Sequence, residues 1–299
     1  MELFDVIIIG GGPAGLNAAI VLGRCRRKVL LFDHGRQRNL KSHGMHNYLT
    51  RDDIEPADFL NISRKEIKKY GVKMKRIAVN HADKKNESHF TVTDANKKIY
   101  HSKKLILATG LKDKLPQIPG AAALYGKSMF HCPYCDGWEA ADKKIAVYAK
   151  TKGGFELALT LTRWSNCIAL FTDGKKYLRK TDKEILNKKN IEIITEPIQS
   201  FKSRNGKLKN IMVANGDKHA FDALFFSNGY DVQCDLVESL GCKTGKTSLA
   251  LTNRSQQTNI KGLYVAGDAS KDMHFVVVAA AEGAKAGVYV NKELMSEEM

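Results

Sequence analysis

Apolar residues fall along this chain in short, dense runs. Asp5-Val6-Ile7-Ile8-Ile9 is the first of them. It is largely apolar and β-branched and does not alternate with polar residues, which predicts a strand buried on both faces of a parallel sheet. Comparable runs at 28–32, 104–107, 144–148, 166–171 and 262–266 predict further buried strands. Alanine- and leucine-rich stretches at 16–24 and 276–288 read as helices. Strands alternating with helices predict an α/β architecture.

The first strand runs into Gly10-Gly11-Gly12-Pro13-Ala14-Gly15, so Gly10, Gly12 and Gly15 fill G-x-G-x-x-G. The 16–24 helix follows, then a second strand ending in Asp33. Glycines let the backbone approach a pyrophosphate, and the helix N-terminus stabilises its charge. An acid at the end of the second strand takes ribose hydroxyls. Strand, glycines, helix, strand and acid in register predict a dinucleotide site. The 144–148 strand begins a second, looser copy of this plan.

The 299 residues suffice for two domains. The formal net charge is +16, but the lysines are spread along the chain and no nucleic-acid module signature appears. A lysine-rich protein with no nucleic-acid partner is expected. No apolar run approaches the ~20 residues of a helical membrane span, and the N-terminus lacks the basic and apolar regions of a signal peptide. The expectation is a cytoplasmic protein without a membrane partner.

Cys132-Pro133-Tyr134-Cys135 is followed at once by Asp136 and Gly137. In a reducing compartment this spacing is redox-active or metal-binding. A tetrahedral zinc site needs two more ligands. The other cysteines (Cys25, Cys167, Cys234, Cys242) form no second Cys-x-x-Cys and His131 adds only one ligand, so redox chemistry is the reading and no metal is expected. A thiolate is the attacking species, so one cysteine needs a depressed pKa. His131 is either a protonatable neighbour that helps or an ordinary polar residue beside the motif.

Taken together, 104–110 with its Ala108-Thr109-Gly110 turn, Gly267-Asp268-Ala269 after a strand, and the Cys-x-x-Cys-Asp-Gly centre resemble the low-molecular-weight thioredoxin reductases. The resemblance spans essentially the whole chain. It implies the two-domain flavoprotein disulfide reductase fold, with two Rossmann-like nucleotide-binding domains, the second inserted in the first. On that plan 1–114 and 236–299 form the FAD domain, and 115–235 the inserted domain carrying the redox pair. The resemblance implies FAD held by Gly10, Gly12, Pro13, Ala14, Gly15, Asp33, Asn47, Ala108, Thr109, Gly110, Gly267, Asp268 and Ala269. It also implies Cys135 nearer the flavin, Cys132 facing the external thiol, Asp136 as general acid/base, and a homodimer.

The pattern departs from that family after the 144–148 strand. Where Gly-x-Gly-x-x-Ala should hold NADPH, the chain reads Ala149-Lys150-Thr151-Lys152-Gly153-Gly154. The 166–171 strand ends in Thr172-Asp173-Gly174 in place of the basic set that would hold a 2′-phosphate. The second domain is therefore expected to keep its strands and lose ordinary NADPH binding. Three electron routes remain open: a small dithiol oxidised with O2 as acceptor, a thioredoxin-like partner served by ferredoxin, or NAD(P)H through an atypical site. The segments 46–52, 164–165 and 170–174 are similar to the dithiol oxidases that close disulfides in gliotoxin- and holomycin-type products. A flavin-binding redox sensor without turnover is the reading from outside enzymology, and the intact Cys-x-x-Cys-Asp disfavours it.

Overall fold

In the computed structural model, residues 2–87, 89–270 and 273–299 are described. They form two compact units. The first takes the chain up to Leu40, Asn47–Lys112, and the chain from Asp231 onward; the second takes Lys41–His46 and Asp113–Tyr230. Motif order sets the divisions at 114/115 and 235/236, and these units divide at 112/113 and 230/231. The excursion of 41–46 into the second unit is not visible in that order.

The first unit is built around the strand Leu3–Ile9, paired in parallel with Val29–Phe32 on one side and Ile99–Leu107 on the other. Lys73–Lys75 extends the sheet beyond Val29–Phe32. The nine-residue strand Ile99–Leu107 is shared: its first half pairs with antiparallel His89–Asp94, its second half with parallel Leu263–Val265. Ile7 and Ile8 are completely buried, as an unalternating β-branched run requires.

Two helices cover one face, Pro13–Arg24 and the C-terminal Val276–Glu297. They meet through small residues. A Cβ on Gly283 would stand 1.9 Å from the Ala14 carbonyl oxygen, and one on Gly287 would stand 3.0 Å from the Val21 side chain. Asn17 Nδ2 donates to the Ala280 carbonyl at 2.6 Å across the same seam. At its far end the C-terminal helix is held by a buried cation. Lys104 is fully buried and its Nζ lies 2.9 Å from Glu293 and 2.6 Å from Glu297. The Tyr264 hydroxyl donates to the other Glu293 oxygen at 2.5 Å. A buried ammonium is tolerated because it is paired in this way.

The second unit has a five-stranded parallel sheet ordered Glu192–Ile194, Ile168–Phe171, Ile145–Ala149, Ala223–Ser227, Met129–Phe130. A separate antiparallel sheet, Ile198–Arg204, Lys207–Val213 and Lys218–Ala220, shares a hydrophobic cluster with it through Phe201, Ile211 and Phe226. Because the five strands are parallel, their C-terminal ends share one edge. That edge carries the turns that follow Phe130, Ala149, Phe171 and Ser227, where α/β folds gather their chemistry.

Gly283→Ala tests the helix seam. Overpacking of this kind costs about 1–3 kcal/mol, so the melting temperature should fall by roughly 3–10 °C, with loss of bound flavin. An unchanged melting curve would mean the two helices separate without cost.

Candidate active site

The edge strand Met129–Phe130 delivers His131 and then the redox turn. Pro133–Asp136 is one helical turn with Cys132 as its N-cap. Pro133 suits the first helical position, where no N–H is needed. Cys132 and Cys135 are joined in a disulfide with Cα atoms 5.3 Å apart. The Cys135 N–H donates to Cys132 Sγ at 3.1 Å, the kind of contact that favours a thiolate when the bond is reduced. Gly137 closes the turn because nothing larger fits: a Cβ there would meet the Pro133 oxygen at 2.3 Å and the Trp164 ring at 2.8 Å. Tyr134 packs edge-on against Trp164 with centroids 5.9 Å apart. Tyr134 and Trp138 are both largely exposed, at 62% and 80%.

Asp136 follows the second cysteine. Burial pushes its carboxyl up to about 7, and the charge of Glu139 adds to the rise. A carboxyl near 7 can give or take a proton at neutral pH. His131 lies on the other side of the pair, with Nδ1 3.6 Å from the Asp113 carboxylate. His46, from the 41–46 excursion, lies 3.5 Å from Glu139.

In the first unit the glycine fingerprint is built as its spacing predicts. Gly10 has φ +119°, and a Cβ there would lie 2.0 Å from the Ala108 oxygen. A Cβ on Gly15 would lie 1.8 Å from the Gly10 oxygen. Gly12 differs: its Cβ would meet nothing nearer than Gln37 Cγ at 3.9 Å, so its open side is free for a ligand. Gly12 is also the N-cap of Pro13–Arg24 and has no side-chain cap, which leaves the amides of that turn for an anion. Ala14 is buried at the helix seam, and Gly110 takes a left-handed φ of +70° just after Thr109. Asn47 also has a positive φ, and its N–H donates to Asp52 at 2.8 Å.

Asp33 ends the second strand as expected, but its carboxylate is already loaded. Oδ1 accepts from the Gly35 N–H at 2.8 Å and Gln37 Nε2 at 2.7 Å. Oδ2 accepts from Arg64 and Arg76, each at 2.9 Å. Four donors fill the usual capacity of a carboxylate. The buried acceptor left over at this edge is Gln37 Oε1, and Arg64 Nε is a buried donor in the same position. Those orphaned atoms and the open side of Gly12 fit a dinucleotide with hydroxyls and phosphates. Gly267 (φ +79°) donates its N–H to the buried Glu282 at 2.8 Å. Asp268 next to it pairs with Arg38 at 3.0 Å, and Ala269 is buried. Of these, Gln37 is legible as a polar residue four positions past the acid. Arg38, Arg64, Arg76 and Glu282 carry no local signal.

The corresponding edge of the second unit is filled by its own side chains. Lys150 Nζ lies 2.7 Å from Asp173 Oδ2, which also accepts the Tyr148 hydroxyl at 3.1 Å. Asp173 Oδ1 accepts the Ile198 N–H at 2.9 Å. Burial alone would raise the Asp173 carboxyl, yet the Lys150 hydrogen bond and the Ile198 amide hold it below its ordinary value. The same bond raises Lys150. The Tyr177 hydroxyl donates to the Ala149 carbonyl at 3.2 Å. Of the glycines in this loop, Gly154 sits where helix and strand touch: its Cβ would lie 2.5 Å from that of Ala149. Among the described residues no cluster suited to a metal occurs, and no helix is long and apolar enough to cross a membrane.

Three comparisons bear on this site. The pyridine nucleotide-disulphide oxidoreductase family matches residues 4–283. A probable thioredoxin reductase of Arthroderma benhamiae is 31% identical, over 90% of this chain and 74% of its own. Thioredoxin reductase tcpT of Claviceps purpurea is 29% identical, over 99% and 96%. The crystal structure of HlmI superposes with a TM-score of 0.95 at 32% identity, over 99% of this chain and 93% of that one.

Asp136→Asn tests the buried carboxyl. The folded pKa lies above the ordinary carboxylate value, so this group's contribution to stability is present at about pH 4 and lost as pH rises through about 7. The melting temperature of the unsubstituted protein should therefore fall relative to D136N between pH 5 and 8. A constant difference would show an ordinary surface aspartate.

Proposed function

The chain belongs to the pyridine nucleotide-disulphide oxidoreductase family as a thioredoxin-reductase-like, FAD-binding disulfide oxidoreductase, and within that class we propose a dithiol oxidase that works without ordinary NADPH binding. The observation that carries this reading is the second nucleotide edge, where the Lys150–Asp173 pair and the Tyr177 hydroxyl stand where a pyrophosphate would approach the backbone. On the same unit, the redox turn carries its disulfide.

The exchange follows from the turn. A thiolate of a small dithiol attacks Cys132 Sγ, the S–S bond breaks, and Cys135 leaves as thiolate. The second substrate thiolate attacks its own mixed-disulfide sulfur, closing the substrate disulfide and releasing Cys132 as thiolate. Asp136, poised near 7, takes the proton of an incoming thiol or gives one to a leaving thiolate. Exposed Tyr134 and Trp138 offer an apolar approach to the pair. The chemistry supplied by bound FAD is two-electron acceptance, with dioxygen as final oxidant. Gly10, Gly12 and Gly15 with the Pro13–Arg24 N-terminus would hold its pyrophosphate, Gln37 and Arg64 its adenosine side, and the 267–269 turn the remainder. A homodimer in the cytoplasm completes the proposal.

Anaerobic titration of the yellow protein discriminates the electron routes. Dithiothreitol should bleach the flavin band while NADPH and NADH do not, and air should restore it rapidly. Bleaching by either nucleotide would overturn the reading of the Lys150–Asp173 edge. Dithiol reduction with slow recovery in air would replace dioxygen with a protein carrier such as ferredoxin, which a +16 chain suits electrostatically. Cys132→Ser should slow dithiol bleaching by at least about 100-fold.

A further inference from the structure

Asp33 stands where an acid is expected to take ribose hydroxyls, and its own bonds leave that task open. A Cβ on Gly11 would lie 2.3 Å from Asp33 Cγ, so the side chain packs directly on the fingerprint backbone. That side chain is 1% exposed. One of its oxygens accepts from the Gly35 N–H and Gln37 Nε2, the other from Arg64 and Arg76. A ribose hydroxyl would have to displace one of these donors to reach it.

Gln37 is differently placed. Its amide nitrogen donates twice, to the Gly11 carbonyl at 3.0 Å and to Asp33 Oδ1 at 2.7 Å. Both partners are acceptors, so the amide cannot be turned over without losing both bonds. The atom left over is therefore Oε1, a buried acceptor without a donor. Folded proteins rarely leave such an atom unmet. The side chain also borders the open side of Gly12, where its Cγ is the nearest atom to an added Cβ, at 3.9 Å. At the other Asp33 oxygen, Arg64 donates through Nη2, while its Nε is a buried donor without an acceptor. An ionised phosphate only accepts, so it suits Arg64 and not Gln37. A hydroxyl donates as well as accepts, and suits either.

We infer that Gln37, and not Asp33, reads the adenosine ribose of FAD. Its Oε1 accepts a ribose hydroxyl, and Asp33 is a positioning residue that holds the Gln37 amide in that orientation. The inference rests on reading residues 10–15 as the FAD site, and it names the atom there that recognises the ribose hydroxyls.

The test is a competition between two flavins. The FAD-loaded protein is equilibrated with a large, equal excess of FAD and of an FAD analogue whose adenosine ribose lacks both hydroxyls. Unbound flavin is removed, and mass spectrometry of the denatured protein reads the ratio released. A general loosening of the site weakens both flavins alike and leaves this ratio unmoved. The unsubstituted protein should favour FAD by about 10-fold, the loss expected when a buried acceptor goes unpaired. Gln37→Met keeps the side-chain length without the amide and should bring the ratio to within about 2-fold of one. D33N should fall between the two. If Q37M holds neither flavin, the shorter Q37A takes its place. An unsubstituted protein without preference would overturn the inference outright. Q37M as selective as the unsubstituted protein, with D33N unselective, would return the ribose to Asp33. A D33N ratio equal to the unsubstituted one would remove Asp33 as the positioning residue. Gly12→Val fills the open side without meeting protein atoms and should lose both flavins. A G12V protein that stays yellow would overturn the site reading and this inference with it. A colourless G12V beside a selective Q37M would overturn the inference alone.

Discussion

The structure depends on backbone meeting backbone at positions where no side chain fits. Gly10 lies against Ala108, Gly15 against Gly10, Gly283 against Ala14, and each added Cβ would fall within about 2 Å of a carbonyl oxygen. These contacts bring strand, first helix and C-terminal helix together around one turn. They also leave Gly12 with open space beside uncapped amides. A site for a pyrophosphate is thus a by-product of close packing: the same absence of side chains seats the helices and exposes the donors. Lys104, buried beneath Glu293 and Glu297, fixes the far end of the C-terminal helix and keeps Gly283 in register with Ala14.

The two units repeat one plan and show what happens when that constraint is relaxed. At the second edge Ala149 and Thr151 stand in place of the two early glycines, while Gly154, which touches the strand, is kept. The close helix–strand packing is therefore kept, while side chains cover this loop. Once the backbone is covered, Lys150 pairs with Asp173 and the hydroxyls of Tyr148 and Tyr177 bond within the edge. The lowered Asp173 and raised Lys150 mark this pair as favourable, so opening it for a phosphate would cost that pairing as well as the space. Filling such an edge needs no change of fold, only side chains that satisfy one another.

What the sequence shows of this follows from range. Buried strands, the glycine fingerprint, the Cys-x-x-Cys turn and the failed second fingerprint are local patterns, and each lies where its spacing predicts. The surroundings of Asp33 are different. Arg64 and Arg76 reach it from 31 and 43 residues away, and no local pattern pairs them with it. Asp33, expected to take ribose hydroxyls, has both oxygens engaged within the chain, and Gln37 Oε1 is a buried oxygen without a partner. Asp113 and Glu282 are hidden for the same reason, since a buried carboxylate and a solvated one look alike in sequence. Lys104 opens a run read as a buried strand, and its pairing with Glu293 and Glu297, 189 and 193 residues away, has no local signal. The 41–46 excursion is a tertiary fact: the Lys41 carbonyl approaches so closely that position 126 must be glycine.

The redox turn draws these threads together through charge. A reduced cysteine pair generates anions in a half-buried turn, and an ionised carboxylate next to them would oppose thiolate formation. Burial meets this by pushing the Asp136 carboxyl up to about 7, so the group beside Cys135 can give a proton at neutral pH. On the other side His131, beside Cys132, lies 3.6 Å from the buried Asp113. One carboxylate flanking the turn is made less acidic by burial; another lies near a histidine. The pair of cysteines then has Asp136 directly after it and His131 directly before it in the chain. A proton donor beside Cys135 eases its departure as a thiol when an external thiolate attacks Cys132, the exchange proposed above.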